Sequence, residues 1–459
     1  MICRGCGIWE ENQRLRAEVE RLRGEKAQLE VENGKLRRRL ALYEKIQAPL
    51  PKKRRRAPAR RSGLRFPGRP AGRRGSTRPR PTPEKIVAPE WDECERCGAP
   101  LPQPEVVEHH VVEEISNPAP KVVIDYLEFR GECPSCGAKL SRVHPDCPPS
   151  GRFGKNVYVQ ATLHKFLDRL PLEKGASALG RAGLGLSAPT QLELLWRTAK
   201  WLRPEYELIL SRIRNSRVVH TDQTGIKVDG ANFWIWTFVT DSEILFAIRR
   251  RKSQKVLEEI LGREWSGVMV CDGARSHHTF ARKSGAKIQR CWAHLLKEAR
   301  NLAGKDEEAE ALSRGLQGVF DRLRKALEKK PPPAERARLL RNARRVLRHW
   351  MSNSYKKAAV RKFAEKIRRG YPHWLTFVTE SGVEPTNNRA ERALRELVVQ
   401  RKIIGTLRNE KGIFIYETLP TLLATWKQRG LDPQGELSRA LTEAWQGMRE
   451  SERSRRPTA

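Results

Sequence analysis

Along the first fifty residues the apolar positions fall on a seven-residue repeat. Leu15, Leu22, Leu29, Leu36 and Tyr43 are spaced by seven, interleaved with Asn12, Val19, Lys26, Asn33 and Leu40. This is the d/a seam of a coiled coil, in which two helices bury one stripe against each other. Lys26 and Asn33 at a positions weaken the seam but penalise wrong registers and higher oligomers, so the pattern favours a short parallel dimer; a single solvated amphipathic helix is the alternative. Pro49 and Pro51 end the helix, which gives a first region, 1–48.

Further along, the period changes from seven to two. Residues 217–228 are apolar and β-branched, Asp229-Gly230 is a hairpin turn signal, 233–239 forms the return strand, and 243–248 continues the meander. Then helices and short apolar strands alternate: helix 255–261, strand 267–271, a helix from Ala274, strand 286–290, and a helix beginning near His294. Three meandering strands followed by alternating helices and strands is the layout of an RNase H-like α/β domain. It is expected over 213–300 and 381–430, interrupted by a charged helical insertion, 301–380, that breaks at Pro331-Pro332-Pro333. A C-terminal helix and tail take up 431–459. Within the insertion, Trp350 and Trp374 are expected in a core rather than stacked on an extruded base.

Between these two parts lie three regions of other character. Residues 49–88 are rich in Arg, Lys, Pro, Gly and Ser, with little beyond Leu64 and Phe66 to bury; this reads as a basic disordered linker laid along phosphates, an inert charged linker being the alternative. In 89–150, Cys94-x-x-Cys97 and Cys133-x-x-Cys136 flank strand-like alternation, so the four thiolates can face one Zn²⁺ in a zinc ribbon. His144 and Cys147 are spare candidates read as loop residues, and Cys3/Cys6 alone make only half a site. Residues 151–212 are helical, with one segment carrying Ala161 to Leu170, a break at Gly183 and Gly185, and a second helix N-capped by Ser187. That is a helix-turn-helix-like arrangement, read either as a DNA-binding unit or as a hairpin that only packs.

Charge narrows the partner. Lys and Arg number 90 against 54 Asp and Glu, a formal charge of +36 spread along 459 residues. Such a surface attracts polyanions, above all nucleic acid. Neither a membrane-spanning run nor a signal peptide is present, so a bacterial cytoplasmic, nucleoid-associated protein without membrane contacts is expected. Nine cysteines, mostly in C-x-x-C pairs, fit zinc in a reducing compartment better than disulfides.

Two acidic residues stand at diagnostic places in the strand pattern. Asp222 lies in the first strand of the meander and Asp272 ends the fourth, and neighbouring first and fourth strands would bring both carboxylates to one sheet edge. Hard oxygen donors with positions left open for phosphate are what Mg²⁺ prefers. A third ligand is expected from the helix that carries Glu391, whose Leu394 and Leu397 share its inner face; a solvated Glu391 paired with Arg395 is the alternative.

His220-Thr221-Asp222, Cys291-Trp292-Ala293-His294, Asn387-Asn388-x-x-Glu391-Arg392 and Arg401-Lys402 resemble the motifs of the insertion-sequence-66 family of DDE transposases. The resemblance runs from the zinc segment onward; the family often has an acidic residue after the first Asp, where this chain has Gln223. It implies a transposase that cuts element ends and transfers them into target DNA, with Asp222, Asp272 and Glu391 holding two Mg²⁺ (Mn²⁺ able to substitute) and structural Zn²⁺ elsewhere. It also implies a role for His294 in holding the scissile phosphate or orienting a ligand, with Cys291 structural. A homodimer or larger nucleoprotein assembly is expected, accessory proteins being left open. The competing readings are a catalytically inactive, transposase-derived DNA-binding protein and another RNase H-like nuclease.

Overall fold

The computed structural model describes residues 13–30, 33, 81–89, 91, 93–102, 105–115, 121–304, 307–371 and 373–455. The chain divides into two units, Met1–Thr77 and Arg78–Ala459. In the first, residues 13–30 form helix α1. Its seam residues Leu15, Val19, Leu22 and Leu29 are 46–59% exposed, so the described residues leave the apolar stripe uncovered. Leu36, Leu40, Tyr43, the Cys3/Cys6 pair and the basic stretch 52–80 lie outside the described residues.

The second unit opens with a small sheet made of β1 (Lys85–Val87), β2 (Glu105–Ile115), β3 (Lys121–Glu132) and β4 (Lys139–Val143). β3 is the centre: β2 runs antiparallel along one side, while β1 (parallel) and β4 (antiparallel) share the other. Two tight turns, Cys94–Gly98 and Cys133–Gly137, are built alike. In each, the second cysteine's following glycine sits at positive φ (+71° and +66°) and returns its amide to the first cysteine's carbonyl at 2.8 Å.

Helices α2 (Lys155–Phe166), α3 (Leu172–Arg181), α4 (Ala188–Trp201) and α5 (Arg203–Arg214) follow. Ser187 caps α4 by accepting the Thr190 amide at 3.3 Å, and Gly183 supplies the turn before it with φ +83°. The chain also breaks at Arg169-Leu170-Pro171, where Arg169 takes φ +58°, so the first helical segment is two helices. α4 packs against α2, α3 and two helices near the C-terminus, α14 (Glu410–Gln428) and α15 (Pro433–Arg455), and between Gln191 and Ala199 none of its residues is exposed. The open face of the α3–α4 pair belongs to α3, through Glu173, Lys174, Ser177 and Arg181.

Among the described residues the larger sheet has five strands: β5 (Val218–Val228), β6 (Ala231–Val239), β7 (Ile244–Arg249), β8 (Val268–Cys271) and β9 (Lys287–Arg290), in the order β7-β6-β5-β8-β9. The first three are antiparallel; β8 and β9 run parallel to β5. Asp229 (φ +48°) and Gly230 (φ +76°) form the two-residue turn that matches the strands' twist. Helices α6 (Gln254–Leu261) and α7 (Arg275–Ser284) make the crossovers, and α8 (Trp292–Ala303) leaves β9. β8 lies between two cores. Met269 and Cys271 face the main core, whereas Val268 and Val270 face a second one, built with α8 and the helices α9 (Glu307–Glu328), α10 (Pro333–Ser352), α11 (Ala358–Gly370) and α12 (Thr376–Thr379). This is why the strand reads as an unbroken apolar run. Trp374 is 1% exposed in that second core and Trp350 packs against it, as core residues.

Both edges of the sheet are sealed by side chains. Helix α14 (Glu410–Gln428) lies along β7: the amides of Ile244, Phe246 and Ile248 donate to Thr425 Oγ1 (3.0 Å), Thr421 Oγ1 (2.9 Å) and Glu417 Oε1 (2.6 Å). Residues four apart on a helix advance about 6 Å and alternate strand residues about 6.7 Å, so the two repeats stay in step over three bonds. Arg249 and Arg203 balance the buried Glu417 charge. At the opposite edge Thr376 Oγ1 donates to the Ile288 carbonyl (2.6 Å), and Gln289 Oε1 accepts the Phe377 amide (2.8 Å). Helix α13 (Asn388–Ile404) crosses β5 and β6, and α15 (Pro433–Arg455) closes the bundle against α2 with Trp445 fully buried.

Thr421 offers a direct test of the edge seal. Thr421→Val keeps the shape but strands the Phe246 amide, and should lower unfolding free energy by about 1–3 kcal/mol, with Thr421→Ser recovering much of it. Urea unfolding of the three proteins measures this; equal midpoints for Val and Thr would mean that the bond contributes nothing.

Candidate functional site

Parallel pairing of β5 with β8 fixes the site. The register includes Val218↔Val268 and His220↔Val270, and two residues beyond come Asp222 and Asp272, level with each other where the ladder ends. His220 is buried, and that burial, against the pull of Glu384, drops its pKa to about 4, so it is a neutral core residue under Asp222. Glu391 stands in the first turn of α13, whose Leu394 and Leu397 are buried against the sheet.

One buried residue joins the three segments. Asn387, at the start of α13, donates its side-chain amide to the Thr221 carbonyl (3.0 Å), and its backbone amide donates to Cys291 Sγ (3.2 Å). Trp292 adds a backbone bond to the Pro385 carbonyl (3.0 Å). Hence Glu391 is drawn to the rim beside Asp222, and Cys291, 1% exposed, serves as an acceptor in this junction. Arg401 anchors the far end of α13 by donating to Thr224 Oγ1 (3.1 Å) and the Gly225 carbonyl.

The electrostatics mark the cluster as short of positive charge. Burial, reinforced by the neighbouring charges of Asp272 and Glu391, lifts Asp222 to about 6, although the Gln223 amide donates to it at 2.8 Å. Asp272 is held down to about 2: burial opposes this, but His277, the Ala274 amide and Lys252 prevail. Glu391 Oε1 is buried without a hydrogen-bond partner and lies 3.6 Å from His294 Nδ1, not in an ion pair with Arg395. Cys291, helped by Glu391 and Asp222 and resisted by burial, raises His294 to about 9. Cys291, His294 and Glu391 put one donor atom each within 4.8 Å of one another.

His277 was not singled out in the sequence. It is fully buried on α7, with Nδ1 3.4 Å from Asp272 Oδ1. Burial works against its charge, but Cys271 and Asp272 raise it to about 10, so it steadies the carboxylate as an imidazolium. Its only sequence signal was a place five residues after Asp272, one turn into a helix.

The cysteine cluster is separate. Cys94 Sγ lies 3.7 Å from Cys136 Sγ and Cys97 Sγ 3.6 Å from Cys133 Sγ, with all four sulfurs within 4.8 Å. A tetrahedron with Zn–S bonds of about 2.3 Å has edges of about 3.8 Å, so these four could hold one zinc ion with little movement. Burial opposes ionisation of Cys133, yet the amides of Cys136 and Ser135 and the neighbouring thiols bring it down to about 6. Neither spare candidate joins them: Cys147 is buried with Val112 and Tyr126, and His144 stacks on Tyr126 at 5.5 Å. Purified protein should therefore carry zinc at this site, and Cys133→Ser should lose about one equivalent by elemental analysis and loosen residues 81–150 to proteolysis. Undiminished zinc in that variant would reject the cluster as a site.

Comparison with known proteins recognises one long segment of the chain, and these acids fall within it. The sequence profile described as "Transposase IS66 family" matches residues 150–414, more than half of the chain. Two uncharacterized proteins of Sinorhizobium fredii are similar: y4qI, 25% identical over 336 residues (66% of this chain, 62% of the relative), and y4jD, 23% identical over 401 residues (79% and 76%). The chain thus spans about 62% of y4qI's length. With a match of this extent, running from α2 into α14 and containing Asp222, Asp272 and Glu391, the chain belongs to the IS66 transposase family.

Proposed function

We propose that this protein is a DDE transposase with an RNase H-like catalytic domain, in which Asp222, Asp272 and Glu391 hold two Mg²⁺ ions and act on DNA phosphodiesters. The observation that carries it is the convergence of three carboxylates where β8 ends beside β5, with Asp222 lifted to about 6 and Glu391 Oε1 buried without a hydrogen-bond partner. Hard oxygen donors with excess negative charge fit Mg²⁺, or Mn²⁺ in its place. The strand order, three antiparallel strands and then two parallel ones, supports the RNase H-like reading, with α9 to α12 as its helical insertion. In the same reading α1 pairs with a second copy in a homodimer or larger assembly on element ends and target DNA.

Bound there, Mg²⁺ would make water or a 3′-hydroxyl a stronger nucleophile and stabilise the departing 3′-oxygen. The chain's own residues set the rest. Asp222 and Asp272 fix one edge, and Asn387 sets the distance of Glu391 from it. His277 keeps Asp272 ionised, while His294, charged near neutral pH, is placed to hold a non-bridging phosphate oxygen. In cleavage, water's oxygen bonds to phosphorus as the P–O3′ bond breaks, leaving a 3′-hydroxyl and a 5′-phosphate. In transfer, that hydroxyl's oxygen bonds to a target phosphorus and the target's P–O3′ bond breaks. No covalent protein–DNA intermediate is needed.

Incubating labelled element ends with protein and Mg²⁺ tests the proposal. Asp222→Ala, Asp272→Ala and Glu391→Ala should each bring strand cleavage below detection while DNA binding without metal persists, because the basic surface is untouched. A Glu391→Ala protein that cuts at the parent rate would reject the triad. The pH profile gives a second check. Asp222 takes up a proton below about 6 and then cannot act as a ligand, so activity should fall about tenfold per unit on the acid side. Because metal and proton compete for it, more Mg²⁺ should move that limb to lower pH. An acid limb that ignores Mg²⁺ concentration would mean that another group titrates.

A further inference from the structure

Arg290 at the end of β9 is 7% exposed, and its Nε is buried without a hydrogen-bond partner. No carboxylate lies within 4 Å of it among the described residues: Asp272 is engaged with His277 and the Ala274 amide, and Glu298, the next acid it feels, is bonded to Lys366. The guanidinium is placed nonetheless with care. It lies 4.4 Å over the Trp374 ring and passes Gly273, the residue after Asp272, and Gly370, the last of α11. A Cβ at either glycine would collide with it, and Gly273 also needs φ +81°. Burying a cation without a counter-charge is costly, so a fold that clears a path for one and leaves it without a carboxylate is arranged for an anion that arrives from outside.

Beside it lies a cavity of about 550 Å³ lined by Arg275, His278, Thr279, Arg282 and His373, with two alanines and Ile288 between them and no acid. Arg275 and Arg282 are exposed and make no ion pair among the described residues. The rings of His278 and His373 stand 5.1 Å apart, and the His373 carbonyl accepts the Arg290 amide at 2.9 Å. Burial, then the charge of Arg290 and the neighbouring ring, keeps His278 near 4, so in the free protein both rings serve as neutral donors beside three guanidiniums.

We infer that this nook, with Arg275 and Arg282 at its mouth and the buried Arg290 behind His373, binds a backbone phosphate of the DNA strand next to the one that lies at the acids. The inference rests on the transposase reading for its ligand. It gives the nook a positioning role: a phosphate seated there fixes how the strand crosses Asp272. Short chain geometry supports this, since Arg290 is paired in register with Cys271, the residue before Asp272. Arginine is suited to the task because its planar fork meets two phosphate oxygens at once.

A site-resolved measurement tests it without relying on cleavage. The full-length protein is treated with phenylglyoxal in the presence and absence of a 30-base-pair DNA duplex, and arginine labelling is read by mass spectrometry. Arg275 and Arg282 should be protected by DNA. Arg275→Ala/Arg282→Ala, two exposed changes that leave the cores intact, should flatten the salt dependence of duplex binding by about 0.9 per lost phosphate contact. Arg290→Gln, checked for folding by circular dichroism, should raise KM for cleavage more than it lowers kcat, and Arg290→Lys should restore only part. Equal labelling of Arg275 and Arg282 with and without DNA, together with an unchanged salt slope, would overturn the nook. Failure of the transposase reading looks different: no Mg²⁺-dependent cleavage by the parent, whatever the labelling shows.

Discussion

Everything proposed for the acidic cluster depends on the bonds of Asn387. Three carboxylates repel one another, and nothing in an α-helix or a strand alone would hold them together. Asn387 reaches the carbonyl immediately before Asp222 with its side chain and the thiol at the start of α8 with its backbone, so α13, β5 and α8 meet at one buried residue. Losing a buried amide's bond costs about 1–3 kcal/mol, which is comparable with the repulsion it must resist at intermediate dielectric. The imidazoliums of His277 and His294 supply the remaining compensation from either side, one on Asp272 and one on Glu391. The cluster is therefore strained in charge but fixed in position, which is what the proposed role of accepting cations and a polyanion without rearranging would require.

What could be read from the sequence was what local periodicity controls. Strand alternation, the Asp229-Gly230 turn and the Ser187 cap set their own backbone, and the strands and the helix boundary appear where those residues put them. The C-x-x-C pairs brought their sulfurs together because each knuckle is a local turn. Asp222 and Asp272 were visible as polar interruptions of apolar strands. The features missed depend on residues far apart in sequence. His277 gains its meaning from burial against Asp272, and Arg290 from two glycines, Gly370 eighty residues further on and Gly273 in the loop after the neighbouring strand β8. The Arg169 break was hidden because the apolar pattern continues through it, with Leu167 exposed and Leu170 turned aside before Pro171. For α4, a capped helix after a glycine turn describes both a groove-reading helix and a packed one, and its contacts with α14 and α15 come from residues some two hundred positions further along the chain.

The helical insertion is more than an appendage to the sheet. Its core continues through α8 into the Val268 and Val270 side of β8, so the strand that ends in Asp272 is clamped between two hydrophobic bodies. Any shift of α9 to α11 would therefore be felt at Asp272. The same insertion supplies Gly370, His373 and Trp374 around Arg290, which ties the cationic nook to the acidic edge through a single strand pair, β8 and β9.

The seal on β7 has a consequence for how the protein is made. Its three acceptors, Glu417, Thr421 and Thr425, are synthesised about 170 residues after the amides they satisfy. Until α14 has left the ribosome, the sheet carries a bare strand edge whose Ile244, Phe246 and Ile248 amides are free to pair with any passing chain. A gene copy cut short before codon 417 would encode all three acids and yet yield a product with that edge permanently open. Such a fragment would be prone to aggregation or proteolysis, so the order of residues along the chain would work against the persistence of truncated copies.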